Sequence, residues 1–336
     1  MKTPHCLITA DNKPLNALIT QRIISVTVTD NRSGEADQLD ITLDDHDGAL
    51  ELPRRGVKIN CKLGFVGETL HDKGDFVVDG VEFAGTPDVV TIKASSANFK
   101  SDLKSNKSKS YHRQTLGQVA GSIAKAHKLE LVITDELSGI DLKHVDQTNE
   151  SDLNLLTRLA RQNGAEMAVK KDRLLIFKAG TAKTASGKQL PTITITRQDG
   201  DQFRYAEEDR DSDYTGVSAS YQDKGKAKRT RVTSGKPEVR GGGNDPNTKT
   251  RVLKGTFADE ASAKRAADAE MAKVKRQMAT FSITTAVGIP AISTESPVKL
   301  LGFKKQVDGL KWIVAKAVHS YSTDGLTTAL EMESGI

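Results

Sequence analysis

Aromatic residues are scarce in this 336-residue chain, at 4% with Trp312 the single tryptophan. That excludes broad stacking platforms for bases or sugars and leaves the cores to Val, Ile and Leu. Cysteine is nearly absent as well. Cys6 and Cys61 can meet across paired strands or stay as buried free thiols, and a reducing compartment favours the second. No stretch approaches the roughly 20 apolar residues of a membrane span. The start, Met1-Lys2-Thr3-Pro4-His5, has no apolar core of a signal peptide, so the expectation is cytoplasmic synthesis without Sec export and without a membrane partner. One-sided charge is missing too: 49 Lys and Arg stand against 44 Asp and Glu, a net +5. This is a mildly basic solubility setting, whereas dedicated nucleic-acid binders concentrate charge on one face.

The chain does have abundant strand patterning. Its length calls for two or three domains, and the first hundred residues read as strands. Ile23 to Thr29 and Leu39 to Leu43 alternate apolar and polar side chains, the period of a half-buried strand. Val57 to Phe65, Phe76 to Phe83 and Val89 to Ala94 continue the pattern, with turn residues at Asp47-Gly48, Asp79-Gly80 and Gly85-Thr86-Pro87-Asp88. Short strands at this spacing predict a barrel-like unit over residues 1–100.

At Ser101 the character changes. Ser101 to Ser110 is polar and basic and reads as a linker, leading into a small α/β domain over 101–180. A helix is predicted from about Gln114 to Lys128, with Leu116, Val119, Ala120, Ile123 and Ala124 in one stripe. A second spans about Ser151 to Asn163, with Leu153, Leu156, Leu159 and Ala160 inward and Gly164 closing it. Leu129 to Thr134 and Leu174 to Phe177 read as strands. Thr181 to Gln189 is a second linker, after which strands resume at Thr192 to Thr196 and Tyr214 to Tyr221, separated by an acidic stretch. Gln222 to Thr250 reads as a long loop rich in Lys and Arg, and loops of that length are usually functional or mobile. A third helix is predicted over about Asp259 to Met278, with Asp259 as N-cap and Ala263, Ala267, Met271, Val274 and Met278 as its seam. Phe281 to Val287, Val298 to Phe303, Trp312 to Tyr321 and Leu326 to Met332 then complete a second barrel-like unit over 181–336. The fold class is thus α+β, mainly β: two barrel-like units around an α/β unit, with the 222–280 loop and helix expected to pack on the latter.

No catalytic constellation emerges from the sequence, and no cofactor or metal is expected. Gly241-Gly242-Gly243 leads into Asn244-Asp245-Pro246 without the Lys-Ser/Thr ending of a phosphate loop. Asp44-Asp45-His46-Asp47 lacks the longer ligand ladder of a calcium loop and reads as an acidic strand-end turn. There is no Gly-x-Ser-x-Gly elbow. His319, alternating with Val314 and Val318, reads as a hydrogen-bonded structural histidine. The sharpest candidate is the basic segment with Lys224, Lys226, Lys228, Arg229, Arg231 and Lys236. It suits an acidic partner surface or nucleic acid, or it is a solvated loop that orders only in an assembly.

A resemblance runs through nearly the whole chain. Gly309-Leu310-Lys311-Trp312-Ile313-Val314, Val318-His319-Ser320 and Gly325-Leu326-Thr327-Thr328-Ala329-Leu330-Glu331 resemble the closing strands of the phage late control protein D family, the tail hub of contractile-tailed phages. The Ala-rich helix leading into Phe281-Ser282-Ile283-Thr284, the 114–131 stretch and the 149–178 stretch fit it too. The resemblance implies two tube-forming barrels joined through the α/β unit, as in the base of type VI secretion spikes (VgrG). It implies a homotrimer presenting six similar barrels, a symmetry adaptor between a hexameric tail tube and a trimeric spike. Its implied partners are tail tube, spike, tape-measure and other baseplate proteins, within a virion baseplate assembled in the host cytoplasm. With the chain ending at Ile336, the spike is expected to be a separate chain. The Gln222 to Thr250 loop with its basic segment would then order against a neighbouring subunit or a baseplate partner. Competing readings are a nucleic-acid-binding late-gene regulator, motivated by the basic segment, a cell-wall hydrolase, and a type VI spike base.

Overall fold

The strand patterning continues through the first unit. In a computed structural model of the chain the described residues are 2–32, 36–96, 101–207, 214–223, 228–235, 249–276 and 278–334, with Ser101 and Asp102 described by backbone alone. The first unit holds β1 (Pro4–Ala10), β2 (Lys13–Pro14), β3 (Ile23–Asn31), β4 (Gln38–Asp44), β5 (Lys58–Phe65), β6 (His71–Ala84) and β7 (Val89–Ser96), with helix α1 (Ala17–Gln21) between β2 and β3. Alternation decides which side chains enter the core: Val26 and Val28 from β3, Leu39, Ile41 and Leu43 from β4, and Phe76 and Val78 from β6 are all buried. Cys6 and Cys61 are buried thiols in this same core, on neighbouring strands β1 and β5.

The α/β unit contains β8 (Asn106–His112), α2 (Leu116–Ala126), β9 (Glu130–Ile133), α3 (Asp135–Ser138), β10 (His144–Ser151), α4 (Asp152–Gln162), β11 (Glu166–Lys170) and β12 (Arg173–Phe177). Thr115 and Gln118 form a reciprocal capping box that starts α2, and its expected apolar stripe is buried throughout. Ser151 caps α4, whose buried face is Leu155, Leu156, Leu159 and Ala160. Leu153, predicted inward, is only half-buried and packs at the margin of the core. Gly164 closes α4 at a positive φ of 71°. The stretch read as a linker, Ser101 to Ser110, is structured: a 3-10 turn over Ser101–Lys104 and then β8, paired antiparallel with β10. Its side chains are exposed at every position but Tyr111, so no apolar alternation marked it as a strand.

The last unit has β13 (Ile193–Thr196), β14 (Gly200–Glu207), β15 (Tyr214–Asp223), β16 (Lys228–Gly235), β17 (Lys249–Phe257), α5 (Glu260–Arg276), β18 (Ala279–Thr285), β19 (Pro297–Leu301), α6 (Lys305–Asp308), β20 (Trp312–Ser322) and β21 (Gly325–Ser334). Trp312 anchors its core against Phe281 and donates its indole N–H to the Val307 carbonyl at 2.9 Å. Asp259 accepts from the Ser262 amide at 2.8 Å and so starts α5. Met278, predicted on the buried seam, lies beyond the helix and is exposed. The described residues of the segment read as a long loop are strand: β16 pairs antiparallel with β15, and β17, beginning at Lys249, pairs parallel on the other side of β15. This small sheet packs on α5 through Val217, Ala219, Ala263 and Ala267. Charge hid the strand, because β16 carries three bases and a single apolar residue, Val232, and so lacks an apolar row. Helix α5 also touches the α/β unit, where Arg265 donates to Asn163 at 2.9 Å and Asp259 pairs with Lys143 at 2.6 Å.

One connection governs the rest. β20 pairs antiparallel with β3 from Lys316–Asn31 to Ser322–Ser25, so strands from the two ends of the chain share one sheet. The order β14-β18-β21-β20-β3-β4-β7-β6 is antiparallel at every step.

Candidate functional site

The seam between β20 and β3 ends at a junction where all three units meet. The alternation of β3 delivers Asp30 there, and Arg32 and Asp37 follow from the connection to β4. Lys170 comes from the end of β11, which turns into β12 through Lys171 and Asp172, both at positive φ. Thr294 and Glu295 come from the segment before β19, Arg276 from the last residue of α5, and Glu333 from β21.

Two ion clusters form from these residues. In the first, the Lys170 ammonium pairs with Asp30, lies 3.2 Å from Asp37 and donates to the Asn31 carbonyl at 2.9 Å. Asp30 also accepts from the Thr294 amide at 3.0 Å, and Asp37 accepts from the Asn31 amide at 2.9 Å. Burial alone would push both carboxyls up. At Asp30 the charge and hydrogen bond of Lys170 win, and it is held below the usual range. At Asp37 burial wins, helped by Asp30's charge, and its pKa is raised to about 6. One ammonium therefore serves two carboxylates unequally.

In the second cluster Arg32 sits between two acids. It donates to Glu333 at 2.6 Å and lies 2.7 Å from Glu295, a close ion pair in which Nε–H is not aimed at the oxygen. Glu295 accepts from the Gly180 amide at 2.8 Å, which ties in the end of the α/β unit. Arg276 adds a looser contact to Glu333 at 3.9 Å. The side chains of Arg32 and Glu295 are only 11% and 5% exposed, so neither charge is left to water.

A third polar chain lies beside them. Lys73 donates to the Pro290 carbonyl at 2.7 Å and reaches His319 Nε2 at 2.8 Å. An ammonium only donates, so Nε2 accepts and the ring proton sits on Nδ1, facing Thr328 Oγ1 at 3.0 Å. Burial lowers Lys73 to about 8, and burial with the nearby Lys73 charge lowers His319 to about 3. His319 is thus a neutral, fully buried strut. A cavity of about 610 Å³ opens among these groups, lined by Asp30, Asp37, Lys73, Lys170, Thr294 and Glu295 among others. Its charges neutralise one another locally. The chemistry on offer is fastening: each cluster bonds residues more than 100 positions apart, and together they tie the three units.

None of these junction residues was singled out from sequence except His319. The usable signal was slight: charged residues at strand ends, beside apolar alternation. Of the basic candidates, Lys228, Arg229 and Arg231 lie on β16, the edge strand of its sheet among the described residues. Lys on such an edge also discourages unwanted strand addition. Lys224, Lys226 and Lys236 lie outside the described residues, as does Gly241-Gly242-Gly243. The Asp44 to Asp47 turn is held by Arg22, which donates to both Asp47 oxygens at 2.7 and 2.5 Å.

The family model described as phage tail baseplate hub (GPD) matches residues 73–325. The chain is 41% identical to a probable baseplate hub protein of Escherichia phage 186, over 98% of this chain and 92% of that protein. It is 40% identical to the corresponding protein of Escherichia phage P2, over 98% and 93%. Among solved structures, the 43 kDa tail protein of prophage MuSo2 from Shewanella oneidensis matches with a TM-score of 0.71 at 15% identity, covering 97% of each chain. An Escherichia coli type VI secretion component matches with a TM-score of 0.60 at 10% identity, covering 98% of this chain and 77% of that one. At such identities these two likenesses speak for the fold.

Proposed function

This chain belongs to the phage tail baseplate hub family, a component of the virion's tail baseplate, and from that premise we propose that it works as a homotrimeric symmetry adaptor. The observation carrying this reading is the β20–β3 seam. Four consecutive strands of each half line up in one antiparallel run, and among the described residues β14 has no neighbour beyond β18 at one end. At the other end β6 pairs only with β7 beyond Val78.

Seven antiparallel steps separate these two edges, so β14 and β6 run in opposite senses. A second copy could therefore continue the sheet with the same antiparallel geometry that joins the halves. Both edges also expose an aromatic residue, Phe83 at 55% and Phe203 at 40%, which is costly to leave in water on a strand edge. Three copies joined this way close a ring of six similar barrels. One face then offers near-sixfold symmetry to a tail tube, and the other offers threefold symmetry to a spike. The tape-measure protein would end within the ring, and the basic edge of β16 would meet another baseplate protein. The work is structural, without a catalytic step, and assembly takes place in the host cytoplasm.

Light scattering tests the trimer directly: the expected mass is three times the 36.3 kDa chain. Phe83→Asp should shift the population toward monomer while leaving the circular dichroism unchanged. A chain that stays monomeric at high concentration, alone and with its spike, overturns the reading.

A further inference from the structure

The two-stranded ribbon of β8 and β10 carries a feature that the assembly reading does not use. His112 and His144 face each other directly in its register. Their Nδ1 atoms are 2.9 Å apart, and their ring centres are 4.5 Å apart with 29° between the planes. Behind His144, its Nε2 lies 2.9 Å from Asp146, which in turn accepts from the Ser110 hydroxyl at 2.6 Å.

We propose that His112 and His144 form a binding site for a divalent late transition metal, coordinated through both Nδ1 atoms. Ionised Asp146 only accepts, so His144 must donate from Nε2, which leaves its Nδ1 with a bare lone pair facing His112. Carboxylate behind imidazole is the arrangement that orients metal-binding histidines and raises their basicity.

The separation of the ring centres points the same way. A straight N–H···N bond of this length would set the ring centres about 5.2 Å apart. Two imidazoles spread at a right angle from one point, each about 2.05 Å from it, have nitrogens about 2.9 Å and centres about 4.5 Å apart. The observed pair has both of the latter values. Both distances are compatible with the two imidazoles sharing one ion at metal–imidazole distance, and a pair spread at a right angle would suit tetragonal Cu²⁺ or Ni²⁺ better than tetrahedral Zn²⁺. No group of three or more His, Cys, Asp or Glu suited to a metal occurs among the described residues. The remaining positions would thus be taken by water or by a residue from another chain. The histidines are both exposed, so an ion reaches them from solvent.

The test uses the full chain and copper itself. Calorimetric titration with Cu²⁺ should reveal one preferred site, with a spin-resonance spectrum showing two equivalent nitrogens. His112→Ala or His144→Ala should weaken binding at least tenfold and abolish the two-nitrogen signature. Asp146→Asn should weaken it severalfold while the signature persists. The exposed histidines His5 and His46 provide the control: His5→Ala with His46→Ala should leave the site intact. Equal binding by the wild-type chain and a His112→Ala/His144→Ala variant, or a one-nitrogen spectrum from wild type, overturns the proposal. Because wild-type spectra alone decide the second outcome, a misfolded variant does not shelter it.

Discussion

Asp37 and Asp30 share one ammonium, and replacing either with asparagine should have opposite consequences. Asp37 has a folded pKa near 6 against an ordinary 3.8, a rise of about two units at about 1.4 kcal/mol each. A raised carboxyl binds protons more tightly in the folded state. Stability from this group is therefore greatest at low pH and falls as pH rises from about 4 to about 6. Keeping it ionised at pH 8 costs at most ~3 kcal/mol by this reckoning. Asparagine retains an oxygen to accept from the Asn31 amide but loses the attraction of Lys170. The net expectation for Asp37→Asn is a gain of about 1–2 kcal/mol at pH 8 and a flatter stability profile between pH 4 and 6. Asp30 is the reverse case. Its pKa is held down, so its contribution is present above the ordinary value and is lost as pH falls through the folded one. Asp30→Asn leaves Lys170 with the weaker partner and should cost about 2–4 kcal/mol at pH 8. Urea midpoints read by emission of buried Trp312 at pH 5 and pH 8 supply the measurement. Equal destabilisation by the two variants at pH 8, or a wild-type profile that rises from pH 4 to 6 through Asp37, would refute the unequal sharing.

Three further outcomes follow from the same structure. Arg32→Met strips both Glu295 and Glu333 of their main cation and should cost about 3–5 kcal/mol, read as an earlier thermal transition. Gly200→Ala would place a Cβ 2.2 Å from the Thr284 carbonyl oxygen, so β14 must shift off β18. The expected cost is about 1–3 kcal/mol, with faster hydrogen exchange confined to those two strands and impaired trimerisation. Thr115→Ala removes the capping box of α2 and should cost about 1 kcal/mol in urea unfolding, without altering oligomeric mass.

Periodicity by itself determined the strands and helices that bury an apolar row. β3, β4 and β7 show it with a period of two, and α2 with its stripe and capping box shows it with a period near four. It was silent where burial is one-sided or absent. β8 exposes six of seven side chains and β16 carries its bases at a solvent edge, so both read as linker or loop until pairing partners placed them. The resemblance to late control protein D rests on ordered segments along the chain and is legible in the sequence.

What only the tertiary structure decided is which distant residues meet. Strand pairing depends on register and edges, and a local pattern encodes neither. Hence the β20–β3 seam was invisible in the sequence, although Ser25 and Ser322 lie at opposite ends of the chain. The junction charges were hidden for the same reason. Asp30, Lys170 and Glu295 each look like an ordinary surface charge in sequence, and become buried partners only when three units close around them. The histidine pair is a case within a single unit. Thirty-two residues separate His112 from His144, and the β8–β10 register alone sets their nitrogens 2.9 Å apart.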